Sequence, residues 1–111
     1  MSSTTETENQ KRYKVLIVDD VPENIQILAN ILSKRGVDVA FAVSGKQAIQ
    51  TLAVKPFDLI LLDVMMPEMN GFEVCEILKK DPALSKIPVI FLTARIQPED
   101  IIKGFSIGAV D

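Results

Sequence analysis

Apolar residues along this chain fall into short unbroken runs separated by stretches in which they recur every three or four positions. Lys14–Asp19 is a β-branched apolar run and reads as a buried strand. Ile25, Leu28, Ala29 and Leu32 then share one face of a helix from Pro22 to Arg35. Pro22 suits its first turn, Asp20 is placed to cap it, and Gly36 is placed to close it. Val37–Ala42 reads as a second strand. Ser44 caps a second helix that runs to about Val54, with Ala48, Ile49 and Leu52 inward. Phe57–Asp63 is a third, strongly apolar strand. Gly71–Lys80 is a third helix, closed by Asp81-Pro82, with Phe72, Cys75 and Leu78 on one face. Ile87–Leu92 reads as a fourth strand and Pro98–Ile107 as a fourth helix, ended by Gly108. Residues 1–12 are rich in Ser, Thr, Glu, Asn and Gln and have no periodicity. They read as a disordered tail ahead of one domain, residues 13–111.

Strands with almost no polar alternation are buried on both faces, the mark of a parallel sheet covered by helices. With right-handed crossovers, four strands alternating with four helices give an α/β, doubly wound domain. Ligands of such folds bind outside the carboxyl ends of the strands.

Composition narrows the chemistry. At 111 residues and 48% hydrophobic, the chain has enough apolar surface for one core. No apolar run approaches the ~18–20 residues of a membrane span, so no membrane insertion is expected. The polar N-terminus lacks a signal-type apolar core. The single cysteine, Cys75, cannot form an internal disulfide, which favours a reducing cytoplasm, and reads as a small buried hydrophobe. Without histidine, a histidine metal site, a histidine general base and a Ser/His/Asp triad are excluded. A net charge of −3 argues against direct nucleic-acid binding.

The strand ends carry the candidate chemistry. The first strand ends in Asp19-Asp20, the third in Asp63 and the fourth in Thr93. If the first and third strands are neighbours, three carboxylates converge on one edge. Clustered like charges raise each other's pKa values unless a cation sits among them. A hard divalent cation with oxygen ligands, Mg²⁺ above all, is the natural counter-ion. A carboxylate held there could attack phosphorus and become an aspartyl phosphate. Alternatively, the acidic pair serves only to cap the next helix. Asp63 is harder to assign a purely structural role, because a carboxylate closing so apolar a strand is costly.

At these positions the chain resembles the response-regulator receiver family of two-component signalling. The resemblance rests on Val-Asp19-Asp20, on Leu-Leu-Asp63-Val-Met-Met-Pro67-Glu-Met-Asn-Gly71, on Leu-Thr93-Ala94 and on Gly108-Ala109-Val-Asp111, in order, and covers about residue 14 to the end. It implies the flavodoxin-like receiver fold, with Asp63 as the phosphoryl acceptor. Asp20 would bind Mg²⁺ directly, Asp19 largely through water, and the Met65 backbone carbonyl would complete the protein ligands. Thr93 would turn its hydroxyl onto the phosphoryl group, with Ala94 small enough to let it approach. Pro67 and Gly71 would shape the loop, the glycine through an unusual backbone angle. The implied partner is a histidine kinase or histidine phosphotransfer protein. The implied role is a signalling switch that assists its own phosphorylation and dephosphorylation, not a turnover enzyme.

The family pattern continues into a fifth strand with a switch aromatic and a lysine, then a fifth helix, whereas this sequence stops at Asp111. The expected fold is therefore a receiver truncated before its fifth strand and fifth helix. It is expected to self-associate through the fourth strand or the Ile27/Ile31 stripe of the first helix, and to label poorly. The Val-Pro-Glu-Asn24 stretch resembles receivers joined to sensor kinases or large signalling proteins. Two other readings stand beside the switch. One is a degenerate receiver that acts only as a docking module. The other is a haloacid-dehalogenase-like phosphatase, which would want Asp-x-Asp where Asp63 is followed by Val64-Met65.

Overall fold

A computed structural model describes residues 12–92. Their elements are β1 (Lys14–Val18), α1 (Pro22–Ser33), β2 (Asp38–Ala42), α2 (Gly45–Val54), β3 (Leu59–Asp63), α3 (Gly71–Lys79) and β4 (Val89–Leu92). The expected N-terminal tail, apart from Arg12, and the expected helix over Pro98–Ile107 lie outside the described residues.

The four strands pair in parallel in the order β2-β1-β3-β4. The chain therefore winds outward from β1 to β2, then back past β1 to β3 and on to β4. Alternation along the central strands sends successive side chains to opposite faces. Leu16 and Val18 join Ile60 and Leu62 beneath α2 and α3, where Ala48, Leu52, Val74, Cys75 and Leu78 complete one core cluster. Val15 and Ile17 join Leu61 beneath α1, against Ile25, Leu28, Ala29 and Leu32. One helix on one face and two on the other is the doubly wound arrangement. The outer strands β2 and β4 are less buried than β1 and β3.

Most element ends have a local cause. Ser44 Oγ accepts from the Gln47 N–H at 3.1 Å and starts α2, as the sequence predicts. At the end of α1, Gly36 takes φ +79°. The Val37 N–H bonds the Leu32 carbonyl at 3.2 Å and the Gly36 N–H the Ser33 carbonyl at 3.1 Å, a Schellman closure that needs the glycine. Asn70 and Glu73 form a reciprocal capping box on α3. In the last turn of α3, Lys79 Nζ donates to the Ser85 carbonyl at 2.9 Å and ties down the loop before β4. Phe72 in the first turn of α3 meets Phe91 of β4 edge-on, ring centroids 4.8 Å apart, and so joins the elements that flank the carboxyl edge of β3.

One expectation about these elements needs correction. Asp20 does not cap α1: the N-cap is Val21, which has no side-chain capping bond. The preceding aspartate turns back instead, and Asp19 Oδ1 accepts from the Val21 N–H at 2.9 Å. In the loop after β3, Met65 is exposed, whereas Met66 is buried and Met69 packs against the larger cluster. Among the described residues, no helix is long and apolar enough to cross a membrane.

Candidate functional site

Parallel pairing of β1 with β3, in register from Val15↔Leu59 to Val18↔Leu62, brings the ends of the two strands side by side. Asp19 and Asp20 follow β1 directly, and Asp63 is the last residue of β3. One carboxylate oxygen from each of the three lies within 4.8 Å of the other two. The convergence expected from strand adjacency is therefore present at the edge where doubly wound folds hold ligands.

The three carboxylates are not equivalent. Asp19 is the buried one, 4% exposed, and the sole buried charged side chain among the described residues. Its backbone N–H extends the β1–β2 ladder to the Ala42 carbonyl at 3.1 Å. Both its carboxylate oxygens accept hydrogen bonds, Oδ1 from Val21 N–H and Oδ2 from the Asn24 side-chain amide at 3.2 Å. Asp63 is partly buried and accepts one long bond, 3.3 Å, from the Met65 N–H to Oδ1. Its pKa is pushed up to about 6, first by burial and then by the charge of Asp19, with Asp20 adding to the effect and the Met65 N–H only partly offsetting it.

A carboxylate driven toward protonation by burial and by two neighbouring carboxylates is a site short of a cation. All three ligand atoms are hard oxygens, with no cysteine or histidine among them. An octahedral Mg²⁺ with bonds of about 2.1 Å has ligand atoms roughly 3 Å apart when adjacent and about 4.2 Å when opposite. Three carboxylate oxygens gathered within 4.8 Å could close onto such an ion, directly or through a water on Asp19. The donor set therefore fits Mg²⁺.

The loop after Asp63 folds back beneath it. The Gly71 N–H bonds the Val64 carbonyl at 3.0 Å. A Cβ on Gly71 would collide with the Asp63 carbonyl oxygen and lie 3.0 Å from Val64 Cα. Glycine is needed there for close approach to the Asp63 backbone. The expected unusual angle is absent, since Gly36 alone of the described glycines has positive φ. The positive angle in this loop belongs to Glu68, at φ 67°, around which the Met69 N–H reaches the Pro67 carbonyl at 2.7 Å. A non-glycine residue held so costs about 1 kcal/mol. Glu68→Gly is expected to raise unfolding stability by roughly that amount, as measured by urea denaturation. An unchanged or lower midpoint would show that the loop bears no such strain.

Of the residues singled out by sequence, Asp19, Asp20 and Asp63 are brought together. Met65 stands two residues past Asp63 on the same loop. Thr93 and Ala94 lie outside the described residues. Asn24, which the sequence reading passed over, contacts Asp19 directly. It lies in the first turn of α1, and the sequence alone does not show that its amide reaches Asp19.

The family model described as "Response regulator receiver domain" matches residues 15–111. A protein of Vibrio cholerae serotype O1 named "Probable cyclic di-GMP phosphodiesterase" is 46% identical over 104 residues, covering 94% of this chain and 23% of that protein. The DNA-binding response regulator MtrA of Mycolicibacterium smegmatis is 38% identical over 100 residues, 90% of this chain and 42% of its own length. The chain thus spans less than half the length of these curated relatives. Among solved structures, the chemotaxis protein CheY4 of Vibrio cholerae superposes with a TM-score of 0.85 at 32% identity, over 89% of this chain and 82% of that one.

Proposed function

Since the chain belongs to the response regulator receiver domain family, we propose that Asp63 is its phosphoryl acceptor and that the surrounding acidic cluster binds Mg²⁺. The observation that carries the reading is the approach of Asp19, Asp20 and Asp63 to within 4.8 Å at the carboxyl edge of β1 and β3. Asp20 and Asp63 would hold the ion directly, Asp19 largely through water, and the Met65 carbonyl would add a fourth protein ligand. When bound, Mg²⁺ supplies positive charge between the carboxylates and the incoming phosphoryl oxygens.

The donor is a phosphohistidine on a histidine kinase or phosphotransfer protein. An Asp63 carboxylate oxygen attacks phosphorus, the phosphorus–imidazole nitrogen bond breaks, and the freed nitrogen takes a proton from solvent. Asp63 must be ionised to attack, and its partial burial keeps its oxygens poorly hydrated and available. The acyl phosphate adds negative charge where the β3 edge is already acidic. Thr93 would answer that charge with its hydroxyl, carrying the change into the segment after β4. The domain, residues 13–111, would act in the cytoplasm as a phosphorylation switch.

Intact-mass measurement after incubation with acetyl phosphate and Mg²⁺ tests this. Any phosphoryl adduct, expected at low yield on this chain, should be single, stable to acid relative to phosphohistidine, labile to hydroxylamine and absent in Asp63→Asn. A full-strength adduct in that variant would remove Asp63 from the role. Mg²⁺ binding without any adduct would favour a docking module, and turnover of a phosphomonoester would favour a phosphatase.

A further inference from the structure

We infer that Asn24 is a positioning residue for the acidic site, fixing the Asp19 carboxylate in the orientation that receives the cation. The inference rests on the Mg²⁺ reading of the cluster and goes beyond it by assigning a residue outside the carboxylates.

Asp19 is the deepest of the three, and a buried carboxylate needs donors to hold its charge. Two are present. One is the Val21 N–H, supplied by the backbone whatever the side chain. The other is Asn24 Nδ2, at 3.2 Å from Oδ2. A carboxylate can only accept, so the amide nitrogen must face it, and the orientation of the Asn24 side chain is settled by its partner. Each carboxylate oxygen then keeps one lone-pair direction for the cation or its water.

The choice of side chain matters electrostatically. Asn24 lies in the first turn of α1, where the helix end already favours negative charge nearby. A lysine or arginine there would donate as well, but would neutralise Asp19 and compete with the metal. An aspartate or glutamate would add a fourth negative charge and no donor. A neutral amide restrains the carboxylate without cancelling its charge. Partners of metal-ligating groups typically contribute tenfold or more to affinity. Asn24 is solvent-accessible, so its share falls at the lower end of that range.

The test is a double-mutant cycle read as Mg²⁺ affinity by calorimetry, with no phosphodonor present, on the whole chain. Asn24→Ala is expected to weaken Mg²⁺ binding by roughly three- to tenfold. Its melting temperature in EDTA should shift little, because Asn24 is solvent-accessible and water can take the place of its amide. In an Asp19→Asn background, the same substitution should change Mg²⁺ affinity by less than about twofold, since its effect passes through Asp19. Asn24→Ser, which retains a donor on that face, should recover part of the loss. Equal weakening in both backgrounds, or no weakening in either, would overturn the assignment. A drop in melting temperature with unchanged affinity would also overturn it, by showing a merely structural role. If the unmutated chain binds no Mg²⁺ that Asp63→Asn and Asp20→Ala remove, the cluster reading fails first and this inference falls with it.

Discussion

Gly71→Ala is expected to destabilise the domain by about 2 kcal/mol and to weaken Mg²⁺ binding at the same time. The Cβ would run into the Asp63 carbonyl oxygen, and it would also lie 3.0 Å from the Asp63 carbonyl carbon and from Val64 Cα. Every one of those atoms is backbone, so no side chain can swing aside. Relief requires α3 to move away from the end of β3, which stretches the 3.0 Å bond from the Gly71 N–H to the Val64 carbonyl. Overpacking of this kind costs about 1–3 kcal/mol, and a lost buried hydrogen bond adds about 1 kcal/mol. The gain of about 1 kcal/mol in helix propensity offsets part of that sum. Gly45 is the internal control. A Cβ there would meet Val74 Cγ2 at 2.7 Å and Met69 Sδ at 3.0 Å, both side-chain atoms. Methionine is flexible and α2 gains the same propensity, so Gly45→Ala should cost about 1 kcal/mol or less. Urea unfolding of both variants decides the matter, since Gly71→Ala at or below the cost of Gly45→Ala would mean that the loop yields freely.

The central part of the fold was legible because β1 and β3 are apolar on both faces, a pattern that admits few structures other than a covered parallel sheet. Helix starts were legible where a side chain has one obvious task, as at Ser44. They were misread where two candidates compete. Asp19 and Asp20 both precede Pro22, and sequence spacing favours the nearer as a cap. The outcome turns on burial: Asp19 is enclosed and must find donors, so it takes the Val21 N–H, while Asp20 stays toward solvent. The Asn70-x-x-Glu73 box has the spacing of a capping pattern, yet the sequence reading gave α3 no cap.

The site was legible in its charges and not in its supports. That Asp19, Asp20 and Asp63 would meet follows from strand order, since residues ending two neighbouring parallel strands cannot avoid each other. What holds them was hidden because it depends on approach distances across elements. The sequence shows a glycine at position 71 without showing that Asp63's own carbonyl lies against it. It shows an asparagine at position 24 without showing that its amide reaches Asp19. The strain at Glu68 has the same character: Pro67 announces a turn, yet the left-handed residue is its neighbour.

Mg²⁺ affinity is expected to fall roughly tenfold between pH 7 and pH 5, because the ion and a proton compete for Asp63. The pKa of Asp63 near 6 leaves the carboxylate mostly ionised at pH 7 and mostly protonated at pH 5. An aspartate at its ordinary value would change affinity hardly at all over that range. The same shift governs stability in the absence of metal. The folded state holds the Asp63 proton more tightly than the unfolded chain, whose aspartate titrates near 3.9. Its contribution to stability is therefore fully present below about pH 4 and is lost as pH rises through 6. Solvent screening at this partly exposed position limits the loss to on the order of 1 kcal/mol, a few degrees of melting temperature for a domain of this size. Three results should then coincide in melts at pH 7. EDTA lowers the melting temperature of the unmutated chain, Mg²⁺ restores it, and Asp63→Asn raises it in EDTA while abolishing the response to the ion. Asp63→Asn removes the charge that burial and Asp19 oppose, so a gain in stability and a loss of binding must come from one substitution. If Asp63→Asn instead lowers the melting temperature in EDTA, or if Mg²⁺ affinity is flat from pH 7 to pH 5, then the carboxylate is not held under electrostatic stress and the cluster has no built-in demand for a cation.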